Sequence, residues 1–218
     1  MKILFIGNSY TYFNGLPETF EALARENGRE CEALSVTKGG RHLYENLSGD
    51  ETAKSLDEIL EKYKIDTLVL QEQSYFALVD EDRFSSAIGE LINKVAPKRT
   101  VLYATWGRCE GAPLLAERGW SSSCMTDMLY SAYRRASERY ECELCPVGLC
   151  FREVTEGGDV PYLYHPDKSH PSKIGTALAA LCHYAVIFGD IPTNLTSLGI
   201  DEVYYAPLIS AVKKYCNL

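Results

Sequence analysis

Apolar residues along this chain follow two rhythms. The runs Ile3-Leu4-Phe5-Ile6 and Leu68-Val69-Leu70 are short and nearly unbroken, as in strands buried on both faces. Between such runs the apolar residues recur at helical spacing. Leu16, Phe20, Leu23 and Ala24 predict a helix over 16–27, with Pro17 in its first turn and Gly28 as its stop. Residues 31–36 predict a second strand, and 51–63 a helix with Leu56, Ile59 and Leu60 inward. A third strand covers 65–70, and a helix capped by Asp80 or Asp82 runs to Val95, ahead of Pro97. Residues 100–104 predict a fourth strand. A helix then ends at Tyr140, a fifth strand covers 142–147, and residues 156–159 read as a turn. Residues 172–188 form the strongest helical pattern, and a last helical stretch is begun or interrupted by Pro207. Residues 109–122 are the least patterned part of the chain, which suggests a lid or pocket wall.

Strands alternating with helices, with no internal repeat or linker, predict one α/β domain over residues 1–218. The expected architecture has three layers, α/β/α, around a five-stranded parallel sheet. Composition changes this little: 46% hydrophobic and 24% charged residues are ordinary for a globular protein. Charge excludes more. A net charge of −8, with no basic cluster beyond pairs such as Lys98-Arg99, argues against nucleic acid or an anionic membrane as partner. No apolar run is long enough to span a bilayer. The run after Met1-Lys2 is too short for a signal-peptide core, so a cytoplasmic location is expected, although a trimmed secreted chain would look the same. Eight cysteines without such a signal are expected to stay reduced. Cys142-x-x-Cys145 with Cys150 lacks the second ligand pair of a structural zinc site, so zinc is not expected there.

The polar residues at the strand ends carry the chemistry. Every parallel strand ends on one side of the sheet, where open α/β folds bind ligands. The first strand ends at Ser9, the second leads to Gly39-Gly40, the third ends in Gln71 and Gln73, and the fourth is followed by Trp106 and Arg108. The loop before the long helix carries His165, Asp167 and His170. A hydroxyl, an imidazole, a carboxylate and potential oxyanion donors are the inventory of acyl transfer. Ser9 is the candidate nucleophile, His170 the base and Asp167 the group that orients it; each also has a plain structural reading as turn, packing or capping residue. His165-x-Asp167-x-x-His170 lacks the helical spacing of a metal motif. A nucleotide site is disfavoured because Gly7-Asn8-Ser9-Tyr10 lacks the glycines of GxGxxG. Tyr10 and Trp106, with Tyr12, Tyr75 and Phe76, are candidates for an aromatic substrate rim or for hydrophobic plugs under loops. Arg41 and Arg108 are candidate anion anchors or surface ion pairs. His42 reads as a loop residue and His183 as a helix-packing one.

In order along the chain, these residues resemble the SGNH hydrolases, also called GDSL-like esterases and lipases. Gly7-Asn8-Ser9 is similar to the family's first block, with Asn where Gly-Asp-Ser is usual. Gly40 matches the glycine of the second block, with Gly39 as the alternative alignment. Gln73 stands where the third block has Asn, and Asp167-Lys168-Ser169-His170 matches the Asp-x-x-His of the last block. The look is closest to a branch carrying Gly-Asn-Ser and Gln-Glu-Gln-Ser. The resemblance implies a flavodoxin-like strand order 2-1-3-4-5 and a Ser9-His170-Asp167 triad. It also implies an oxyanion hole of Ser9, Gly40 and Gln73, with no cofactor. The implied substrate is a small-molecule ester, with acetyl on carbohydrate as one option. The alternative is a non-catalytic protein binding a small ligand or carbohydrate on the same fold.

Overall fold

The structure, a computed structural model, describes residues 1–216. Five strands, β1 (Lys2–Gly7), β2 (Glu32–Thr37), β3 (Thr67–Leu70), β4 (Arg99–Tyr103) and β5 (Glu143–Cys145), form one sheet. All pairs are parallel and the spatial order is β2-β1-β3-β4-β5, as the resemblance implied. The helices are α1 (Ser9–Tyr12), α2 (Leu16–Glu26), α3 (Glu51–Lys62), α4 (Phe76–Val79), α5 (Glu81–Val95) and α6 (Pro113–Arg118). They continue as α7 (Ser122–Tyr140), α8 (Val147–Gly157), α9 (Lys173–Phe188) and α10 (Tyr205–Tyr215).

Strand side chains alternate between two apolar layers. Ile3, Phe5, Val69, Val101 and Tyr103 face residues of α2, α8, α9 and α10. Leu4, Ile6, Leu68, Leu70 and Leu102 face residues of α3, α5 and α7. Both faces are covered, which is why β1 and β3 read as continuous apolar runs. Helix starts follow the expected capping chemistry. Asp50, Asp80 and Ser172 each accept an N–H from the first turn of α3, α5 and α9.

Two expectations need correcting. The fifth strand is only Glu143–Cys145, and Pro146 turns the chain directly into α8. Val147, Cys150, Phe151 and Val154 do lie at helical spacing, but Gly148 in the first turn disguises the pattern. That glycine is required by packing: a Cβ there would lie 2.3 Å from the Thr105 carbonyl oxygen just beyond β4. The unpatterned stretch 109–122 holds α6, with Pro113 at its start and Gly119 ending it at φ +68°.

His183 on α9 is fully buried against Tyr103, ring centroids 4.5 Å apart. Its Nδ1 lies 2.7 Å from the Ala179 carbonyl oxygen, while Nε2 has no partner among the described residues. Burial pushes this imidazole down from 6.5 to about 4, against a smaller opposing effect of the Ala179 bond. The unfolded chain therefore takes up the proton at a higher pH than the folded one. Stability should fall as pH drops through this window, by on the order of 3 kcal/mol in all. Thermal unfolding midpoints should decline between about pH 6.5 and 4, and His183→Leu should flatten that decline; parallel curves for the two proteins would contradict it.

Candidate active site

The first turn after β1 is built by close approach. A Cβ on Gly7 would sit 2.3 Å from Thr11 Oγ1 and 2.7 Å from Gln71 Oε1. Gln71, buried at the end of β3, accepts from the Asn8 amide at 3.0 Å and from Thr11 Oγ1 at 2.8 Å. Its Nε2 donates to Asn8 Oδ1 at 3.1 Å, so the two side chains clamp the turn from both sides. Asn8 also caps α1 by accepting from the Tyr10 amide, and its Nδ2 donates to the Arg41 carbonyl at 3.0 Å. Ser9 is thereby presented as the first residue of α1.

The opposing loop is equally constrained. Tyr164 and Pro171 form a β-bridge, and the His165 amide donates to the His170 carbonyl at 2.8 Å. Between them Lys168 takes φ +62°, a left-handed conformation rarely used by a residue with a Cβ. Asp167 Oδ1 accepts from the Ser169 and His170 amides, both at 2.9 Å. Asp167 Oδ2 lies 2.7 Å from His170 Nδ1, and His170 Nε2 lies 2.8 Å from Ser9 Oγ. Burial alone would raise the Asp167 carboxyl, but the His170 ring and the two amides outweigh it and hold it well below the usual carboxylate range. An ionised carboxylate only accepts, so Nδ1 carries the ring proton and Nε2 is free to accept from the serine hydroxyl. Phe13 stacks on the His170 ring at 4.6 Å and Tyr10 meets it edge-on at 5.5 Å. His165 Nδ1 stands 3.1 Å from the same Asp167 oxygen, on the exposed side.

Ser9 and His170 open onto a cleft of about 240 Å³ shared with Gly40, Gln73, Ser74 and Arg108. Gly40 sits in a turn at φ +70°. Among the described residues, the Ser9 and Gly40 amides and the Gln73 Nε2 donate to no protein acceptor. These are three unused donors around one cleft. Gly39 does not line it. The two donor loops are tied together by Glu72, a wholly buried carboxylate. It accepts from the Gln73 amide at 2.6 Å and the Leu43 amide at 3.2 Å, and lies 3.3 Å from His42 Nδ1.

No family model and no curated relative matches the sequence. Solved structures do. A candidate SGNH hydrolase from Slackia heliotrinireducens is similar at 27% identity and a TM-score of 0.72, over 84% of this chain and 96% of that one. That similarity supports assignment of the chain to the SGNH hydrolase superfamily. A DUF4886 family protein from Bacteroides uniformis shares the fold at a TM-score of 0.79 and 17% identity, over 100% of this chain and 96% of that one. An acetyl-xylooligosaccharide esterase from Geobacillus does so at 0.61 and 14%, over 92% and 95%.

Several side chains have other surroundings than the sequence suggested. Trp106 is not a rim residue: it is fully buried, stacked between Tyr10 at 4.9 Å and Phe151 at 3.9 Å, with Nε1 donating to the Ser169 carbonyl. It supports the loop that carries Asp167 and His170 from beneath. Tyr10 lines the cleft but is 2% exposed, its hydroxyl engaged with Ser169 Oγ at 2.8 Å. Arg41 is buried and spent on Asn46 and Asp50. His42 is not a free loop residue but the partner of Glu72, stacked on Tyr44. Glu72 and Phe13 went unread: a lone Glu between two Gln, or a Phe in a turn, gives no periodic signal. Away from the cleft, Cys150, Cys182 and Cys216 converge, their sulfurs within 4.8 Å of one another. Three buried thiols are one donor short of a closed zinc site, and burial pushes the Cys182 thiol well up.

Asn8 donates to a carbonyl, which an ionised Asp cannot do. Asn8→Asp should therefore cost about 1–3 kcal/mol in chemical denaturation at neutral pH, although Asp is the usual family residue there. Unchanged stability would contradict the role given to Asn8 Nδ2.

Proposed function

We propose that this protein is a serine ester hydrolase working through Ser9, His170 and Asp167. The unbroken hydrogen-bonded line from Ser9 Oγ through the His170 ring to Asp167 carries this reading. Ser9 Oγ attacks the ester carbonyl while His170 Nε2 takes its proton. The tetrahedral oxyanion is held by the Ser9 and Gly40 amides and the Gln73 carboxamide, donors that no protein group occupies. His170 then protonates the departing alkoxide. A water attacks the acyl-enzyme by the same route in reverse and frees Ser9. Asp167 keeps the imidazole in the required tautomer and balances its charge.

The substrate proposed is a small acyl ester. A cleft of about 240 Å³ suits acetyl-sized acyl groups better than long chains. Acetyl xylan and acetyl-xylooligosaccharide esterases share the fold, which supports acetylated carbohydrate as the first class to try.

A panel of p-nitrophenyl esters of rising chain length, together with acetylated sugars, tests this. Turnover should peak at the shortest acyl chains, and Ser9→Ala should lower kcat by at least about 10³-fold. Ser9-independent turnover, or none on any ester, would overturn the assignment. Because Asp167 stays ionised across the working range, the acid limb of the kcat/KM profile should show one ionisation. Two would contradict the role given to Asp167.

A further inference from the structure

Arg108 follows β4 and reaches the cleft shared by Ser9 and His170. Its side chain is strangely under-used. Nη2 donates to Ser74 Oγ at 2.8 Å, and that is its one hydrogen bond among the described residues. Nε is buried with no partner, and no carboxylate of the described residues lies within ion-pair distance. The guanidinium carbon sits 5.9 Å from the centre of the Tyr10 ring, a weak contact at most. Arg41 is the internal contrast. Its Nε donates to Asn46 and its Nη1 and Nη2 to Asp50 at 2.7 and 2.8 Å, so its charge is fully answered within the protein.

A partly buried cation without a counter-charge is unfavourable, and in a chain of net charge −8 acids are available to pair with it. Its position is held all the same: Ser74 fixes Nη2, and the Arg108 amide lies 3.4 Å from Met125 Sδ. A guanidinium held by one edge presents its remaining donors as a fork, which matches two oxygens of a carboxylate or phosphate. The oxyanion of the reaction does not require it, since three neutral donors already stand free around the cleft.

We infer that Arg108 is the binding group for an anionic substituent of the substrate, so that the preferred ester carries a carboxylate or phosphate beside its scissile bond. This rests on the hydrolase reading for the word ester, but the anion site itself does not.

The test compares esters that differ only in charge. One pair is the p-nitrophenyl ester of succinate against its methyl-capped form, with the anion on the acyl half. The other is an O-acetylated hydroxyalkyl phosphate against the uncharged acetylated alcohol, with the anion on the leaving half. Wild type should favour the anionic member of at least one pair by about tenfold or more in kcat/KM, and added salt should shrink that ratio. In Arg108→Gln the ratio should collapse to near one, and Arg108→Lys should recover part of it. A wild-type ratio near one for both pairs, or a ratio unchanged in Arg108→Gln, overturns the inference. A purely structural role would lower both members of a pair together and leave the ratio intact, which also overturns it. Should Arg108→Gln not fold, Arg108→Lys and the salt dependence of the wild-type ratio decide the question. Titration of Ser9→Ala with succinate and with inorganic phosphate separates the two claims. Saturable binding that is lost in Ser9→Ala/Arg108→Gln, with no ester cleaved by wild type, upholds the anion site and sinks the hydrolase. Ester turnover with no such binding and no charge preference does the reverse.

Discussion

The site depends on how the Asn8 and Gln71 side chains lock the end of β1 to the end of β3. Gln71 accepts from the Asn8 amide while giving its own N–H to Asn8 Oδ1, and Gly7 leaves the space in which this happens. Nothing larger than hydrogen fits on Gly7. The consequence is that Ser9 leaves the sheet at a fixed angle, as the first residue of a one-turn helix, without a long element to brace it. Both partners are buried, so the exchanged hydrogen bonds are shielded from water and each is costly to leave unmade.

The side of the cleft that carries Asp167 and His170 is held by different means. Its loop hangs on a single β-bridge, a left-handed Lys168 and the Asp167 turn, and gains rigidity from aromatic stacking. Phe151, Trp106 and Tyr10 form one continuous stack under the loop, tied to Ser169 through Trp106 Nε1 and the Tyr10 hydroxyl. Glu72 links the two remaining donor loops from inside the protein. The cleft is thus bounded by three loops, each anchored by a buried polar group and not by its own backbone alone. Preorganisation of this sort is what makes neutral donors effective on a developing charge.

Much of this could be read from residue patterns, and the exceptions have physical causes. Periodicity located the five strands and the long helices because both sheet faces are buried and the helices carry one apolar side. It missed α8, where Gly148 must approach Thr105, and α6, whose six residues are too few to show a period. The residues named for the site, Ser9, Gly40, Gln73, Asp167 and His170, come together around one cleft or its immediate support. Trp106 kept two readings, rim or plug, because a large aromatic at a strand end reads the same whether it faces solvent or the core; the structure makes it a plug. The roles of Glu72 and Gln71 escaped notice, although Gln71 stood out as a strand-end residue, since a buried polar residue is recognised by its partners, and partners distant in sequence leave no local trace. Arg41 and Arg108 were alike on paper; only their surroundings separate a structural cation from one left facing the cleft.

An activated nucleophile at Ser9, which the proposed reaction requires, can be read out by covalent labelling. Folded protein treated with a serine-directed fluorophosphonate and then digested should carry one phosphonyl adduct, on the peptide containing Ser9. That adduct should be absent in Ser9→Ala and form far more slowly in His170→Ala, whose serine lacks its base. No adduct on the folded wild type, or one at a different residue, would rule out Ser9 as the nucleophile.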